Sequence, residues 1–329
     1  MRAAVFSRSS LVVTARIAIG CLATLGLATG IASAQTYGIA TMQPGTLSNA
    51  TGSAIAKVMQ QQLKLQTRVQ PNAGESTLLP LVDSGEIDLG IANIFEVVQA
   101  YQGKAAAGKQ EKLRIVGAIH PIRIGFFVRK DSNIKTIADL RGKRVTLGFS
   151  AMRTIDDVAL ALLATGGLTA SDVQAVLVPN VVRSAESFMS GQADCFVFAL
   201  GAGKVTEVDA SVGGGIRILP ISSDPNALAA AQKIFTALYL TEVTPRPGLA
   251  GVPEKLQVLS YDNLLVTGAD AKDELVYNVV DAMVRNKGDL AASAPWLAEL
   301  APDQLYKKYP VPYHPGAVKW FKEKGLAPQ

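Results

Sequence analysis

The chain carries the same succession of elements twice, and this internal echo restricts its fold more than any other feature. In the first copy, Val69-Gln70-Pro71-Asn72 reads as a strand entering a turn, residues 74–82 as a short helix, and Ser84-Gly85-Glu86-Ile87-Asp88 as a turn into the strand 89–92. In the second, Val176-Leu177-Val178-Pro179-Asn180 enters a turn, a helix covers 184–189, and Ser190-Gly191-Gln192-Ala193-Asp194 leads to the strand 195–199. The two Ser-Gly-x-x-Asp turns lie 106 residues apart. Each copy has a matching predecessor: strand 37–40, loop 42–49 and helix 51–63, then strand 144–147, loop 148–153 and helix 154–164. Thr154 is placed to cap that last helix, Asp156 and Asp157 fall in its first turn, and Gly166-Gly167 closes it. Strands alternating with helices predict a mostly parallel sheet, here as two similar α/β lobes around a central ligand cleft. In such sheets ligands sit beyond the carboxyl ends of the strands, where helix N-termini offer unpaired N–H groups and a positive dipole end to anions.

The first residues read as an address. Arg2, Arg8 and Arg16 precede an apolar run over 17–31, and Ala32-Ser33-Ala34 supplies the small-x-small pattern of a signal-peptidase site, so cleavage is expected after Ala34. The apolar run is shorter than the ~20 residues a membrane-spanning helix needs. Losing three arginines lowers the formal charge from +5 to +2, with 29 basic against 27 acidic residues remaining. No block of basic residues interleaved with aromatics occurs, which excludes nucleic acid as a partner. Cys21 leaves with the leader and Cys195 stands alone, so no internal disulfide forms.

The last third differs in texture. Residues 241–253 are rich in proline and glycine, a strand follows over 256–266, and helices are expected near 272–285 and 302–307. The prolines of 309–316 predict extended or turned backbone, ahead of a terminal helix over 317–324 that ends at Gly325. Too little chain remains for a third lobe, so this part returns to the first. The expected organisation is a signal peptide over 1–34, one lobe from 35–128 and 240–329, and a second lobe from 129–239.

The chain resembles the TAXI family, the solute-binding subunits of one class of tripartite (TRAP) transporters. The resemblance covers the mature chain and rests on residues 41–52, on Ser84-Gly85-Glu86-Ile87-Asp88-Leu89-Gly90, on Ile137-Ala138-Asp139-Leu140-Arg141-Gly142-Lys143-Arg144-Val145, on Gly191-Gln192-Ala193-Asp194 and on the Tyr-Pro-x-x-Tyr-His-Pro-Gly tail. It implies a type II periplasmic-binding-protein fold that closes on a small organic anion or amino acid and delivers it to integral-membrane TRAP permease subunits. Ser48-Asn49 stand where members usually carry two adjacent tyrosines, and Asn93-Ile94-Phe95 replaces a more acidic pattern, which argues for a more apolar cleft. A tricarboxylate tripartite system or an ABC importer would use the same fold. The expected setting is the periplasm, and the chain is expected to act as a monomer.

Several residues are candidates for the cleft. Arg153, beside a helix start, either clamps a carboxylate with its guanidinium fork or pairs with Asp156 or Asp157 at the surface. Thr154 donates its hydroxyl or caps its helix, and Asn93 offers an amide to a carboxylate or amine. Phe149, Met152 and Phe198 are candidates for an apolar lining, with Ser150 in the same loop. Gln43, Thr46 and Asn49 supply polar groups from the first loop, and Asn72, Ser76 and Arg183 from the other two turns. No cofactor or metal is expected: no His, Cys, Asp and Glu grouping has metal-ligand spacing, and neither G-x-S-x-G nor G-x-x-x-x-G-K-[ST] occurs. The two histidines, His120 and His314, each precede a proline, so a histidine-activated nucleophile is not expected and the chain is read as a binding protein, not an enzyme.

Overall fold

The computed structural model describes residues Gln35–Gln329; the leader, its cleavage point and Cys21 lie outside the described residues. The chain order is β1 (Thr36–Thr41), α1 (Leu47–Gln62), β2 (Gln66–Pro71), α2 (Glu75–Asp83), β3 (Leu89–Asn93), α3 (Ile94–Tyr101) and β4 (Leu113–Arg129). It continues with β5 (Arg144–Leu147), α4 (Arg153–Thr165), β6 (Gln174–Leu177), α5 (Val181–Met189), β7 (Phe196–Ala199), α6 (Gly203–Ser211), β8 (Ile216–Ile218) and α7 (Pro225–Gln232). The last part holds β9 (Tyr239–Val243), β10 (Leu256–Gly268), α8 (Asp273–Arg285), α9 (Lys287–Ser293) and α10 (Pro315–Glu323).

The duplicated units form two groups of parallel strands. β1 pairs with β2 and β3, and β5 pairs with β6 while a bridge from Val145 to Cys195 reaches the start of β7. Two long strands run between the groups: β10 lies antiparallel between β3 and β4, and the far end of β4 pairs with β7 and β8. Hydrogen bonding is therefore continuous through β10 and β4.

Burial explains the layering. Along β1, β3 and β4, successive side chains point to opposite faces. Ile39, Ile91 and Val116 pack with Ile55 and Met59 of α1, Val279 of α8 and Trp320 of α10. Ala40, Ala92 and Ile115 face the other layer, with Leu78 and Leu79 of α2 and Phe95 of α3, which runs on into the second group through Phe126 and Phe196. β4 is buried along nearly its whole length, as a strand covered on both faces must be.

Several local expectations need correction. α1 starts four residues before the expected Thr51 because the Thr46 side chain accepts a hydrogen bond from the Asn49 N–H, which turns the expected loop at 48–49 into the first helical turn. The cap of α4 is Met152, not Thr154, which lies inside the helix. The helix expected at 302–307 is a turn, because the Leu305 carbonyl accepts from the Ala118 N–H of β4 and from the Tyr313 hydroxyl. Pro315 opens α10 instead of preceding it, since proline at the first helical position loses no hydrogen bond.

The C-terminal tail is held by one carboxylate. Asp262 of β10 accepts from Lys307 Nζ at 2.9 Å on both oxygens, from the Tyr309 hydroxyl at 2.6 Å and from the Tyr239 hydroxyl at 3.1 Å. Asp262→Ala leaves a half-buried ammonium and two hydroxyls without this acceptor. The expected loss is about 3 kcal/mol of unfolding free energy, read by urea denaturation, with Asp262→Asn losing less.

Candidate functional site

The loops that follow the parallel strands converge on a small, partly open cavity of about 30 Å³. Thr46, Leu47 and Ser48 at the start of α1 border it, as does Glu75 at the start of α2. Met152 and Ile155 of α4, Val181 of α5 and Phe198 of β7 border it from the other strand group. Ile122 of β4 and Tyr261 of β10 form its floor, on the two strands the groups share. The strand carboxyl ends and helix starts are brought together because each β-loop-helix unit leaves its sheet on the same side. The volume is about that of one water in the liquid, so a larger solute enters only if the groups part.

Besides apolar side chains and the hydroxyl-bearing Thr46, Ser48 and Tyr261, the cavity is bordered by one carboxyl. Glu75 is 1% exposed, and its carboxylate accepts the Asn93 backbone N–H at 2.9 Å and the Asn93 side-chain amide at 2.5 Å. Burial pushes this carboxyl up to about 8, the charge of Glu96 adds to that, and the two Asn93 N–H groups oppose it. Glu96, also buried, accepts the Ser76 hydroxyl on one oxygen and the Thr154 hydroxyl on the other, both at 2.6 Å. Thr154 belongs to α4 and Glu96 to α3, so this bond ties the two groups together.

Backbone also meets across the gap. The Lys204 N–H donates to the Gly45 carbonyl at 3.0 Å. Gly74 faces Ala151 so closely that a Cβ there would stand 2.0 Å from the Ala151 carbonyl oxygen. The Gly74 backbone is extended, so the demand for glycine is one of space.

The residues singled out from the sequence are divided by the structure. Thr46, Met152 and Phe198 line the cavity. Asn93, Ser76 and Thr154 stand one step behind it, holding Glu75 and Glu96. Phe149 is buried in the core and does not border the cavity. Asn49 and Asn72 make local bonds, to Thr41 Oγ1 and the Gln70 carbonyl, and the Gln43 carbonyl accepts from Thr46. Ser150, Arg153 and Arg183 are exposed and absent from the lining; Arg183 pairs with Glu186 at 2.5 Å, which a neighbour on its own helix makes easy. Glu75, Glu96 and Tyr261 were missed. An acid in the first turn of a helix is ordinary dipole chemistry, and nothing local marks these as buried.

The fold is mixed α/β, with loops of two strand groups facing each other across the cavity. The chain belongs to the NMT1-like family, whose model matches residues 39–325. Among solved structures it is similar to the alkanesulfonate-binding protein SsuA from Xanthomonas axonopodis pv. citri bound to MOPS, at 16% identity over 89% of this chain and 94% of that one, TM-score 0.49. It is also similar to the periplasmic aliphatic sulphonate binding protein SsuA from Escherichia coli (18% identity, 90% and 94% covered, TM-score 0.48) and to a TctC solute binding protein from Polaromonas (13%, 80% and 88%, TM-score 0.47).

Proposed function

We infer that this protein is an exported solute-binding protein that captures a small solute between two lobes, 35–128 with 240–329 and 129–239, and delivers it to a membrane permease. One observation carries the reading: the cavity draws its walls from both strand groups, with Thr46 and Glu75 at helix starts on one side and Met152, Val181 and Phe198 on the other. A ligand there touches both groups only when they are together, so binding stabilises the closed arrangement. The Thr154–Glu96 bond and the Gly74–Ala151 contact belong to that arrangement.

The resemblance to TAXI proteins favours a TRAP-type permease as the partner and the periplasm as the setting. The sequence also led to an organic anion or amino acid as ligand, but among the described residues no cationic side chain borders the cavity. A thermal-shift screen over amines, amides, carboxylates, sulfonates and amino acids tests the reading. A true ligand at 100 times its Kd adds about 2.7 kcal/mol to the folded state. Silence across all these classes would end the solute-binding reading.

A further inference from the structure

We propose that the cleft takes a largely apolar solute whose one polar group is a nitrogen-centred hydrogen-bond donor, above all an amine, seated on the Glu75 carboxylate. The proposal rests on the reading of the cavity as a solute site and names the class of solute. Among the described residues Glu75 is the one acidic side chain in the lining, protonated below about pH 8 and charged above it; the rest is apolar or hydroxylic. Each of its oxygens accepts one bond, both from Asn93, which leaves acceptor capacity on each. Among the described residues, the hydrogen-bond partners of Glu75 and Glu96 are all neutral: Asn93, Ser76 and Thr154. A carboxylate buried without a counter-charge is costly, and a donor nitrogen, best a cation, relieves that cost.

An anion finds the reverse. Most helix starts around the cavity are already used, the exception being that of α4, where Met152 supplies no side-chain cap. Glu75 sits at the start of α2, and Asn93 accepts the Glu96 N–H at the start of α3. The Thr46 and Asn180 side chains cap α1 and α5. Lys204, the basic residue nearest the first loop, is ion-paired with Glu207 at 2.6 Å and does not border the cavity. Above about pH 8, where Glu75 is ionised, a carboxylate placed in the cavity would meet that charge directly, with no cation in the lining among the described residues to offset it; below that pH the protonated Glu75 is itself a donor. The other titratable groups facing Glu75 are Glu96 of α3, whose charge favours a donor, and Tyr261 of β10, a neutral hydroxyl that can donate or accept.

The test uses three probes of matched shape: 2-phenylethylamine, 2-phenylacetamide and phenylacetate. Titration calorimetry and ligand-observed NMR at about pH 8.5 keep much of Glu75 ionised, given its value of about 8. The amine is expected to bind about tenfold or more tightly than phenylacetate, with the amide between them, and Glu75→Gln is expected to remove the amine's advantage over the amide. The wild-type ranking decides the matter even if that variant does not fold. Phenylacetate binding as well as the amine, or an amine affinity untouched by Glu75→Gln, would overturn the proposal. A cleft that binds phenylacetate best remains a solute site, so that outcome ends only this inference. If all three probes fail, the inference falls as well, while the broader screen decides the function.

Discussion

Gly74→Ala is expected to lower affinity for any cleft ligand by about 100-fold, while the free protein stays folded. The new Cβ would stand 2.0 Å from the Ala151 carbonyl oxygen and 2.6 Å from Met152 Cγ, where ordinary contact begins at 3.4 Å. The nearest atom is backbone and cannot rotate away, so the two strand groups have to separate. Overpacking of this kind costs about 1–3 kcal/mol, and the upper end corresponds to roughly 100-fold in Kd. The cost falls on the closed arrangement alone, because an open form has no contact at Gly74. Loss of glycine at the helix cap adds a smaller term to both forms. Calorimetry on the best ligand of the screen, with small-angle scattering to follow closure, reads the effect. Unchanged affinity with unchanged closure would show that Gly74 and Ala151 do not meet in the bound state.

Glu75→Gln is expected to flatten the dependence of stability on pH. The folded wild type holds the Glu75 proton to about pH 8, whereas the unfolded chain releases it near 4.5. The folded state therefore binds more protons between those values, and stability falls as pH rises through that window. Below 4.5 the contribution is fully present, and above about 8 the loss is complete. The whole fall is on the order of 5 kcal/mol at about 1.4 kcal/mol per pH unit. Glutamine cannot ionise, so the variant loses this slope, although it gives up one hydrogen bond from Asn93, worth about 1 kcal/mol. The variant is thus expected to be the less stable protein at pH 5 and the more stable at pH 8.5. Parallel urea-unfolding slopes for both proteins across that range would sink the assignment of Glu75 as a buried, proton-holding group. If the amine preference holds, Glu75 is an instance of stability given up for binding, as sites built for function commonly show.

Much of the architecture is legible along the chain. The echoed units correspond to β1-α1-β2-α2-β3 and β5-α4-β6-α5-β7, and the elements fall within a few residues of their expected places. The exceptions are local competitions that sequence pattern resolves poorly. Thr46 captures the Asn49 N–H and lengthens α1, and Leu305 gives its carbonyl to β4 and so forms no helix. The site was less legible. Arg153 has the right chemistry for a cleft clamp and lies near the right loop, yet it is exposed and outside the lining, while its neighbours Met152 and Thr154 face inward.

By itself the sequence determined what depends on neighbours in the chain: strand and helix periodicity, the duplicated order, and the side of the sheet on which the loops emerge. Only the tertiary structure decided which loop residues face the cavity and with what charge. Glu75 meets Asn93 across 18 positions and Thr154 meets Glu96 across 58. Such pairings are set by how two strand groups sit on the shared strands β4 and β10, and a one-residue rotation about a helix axis is enough to exchange an inward side chain for an outward one.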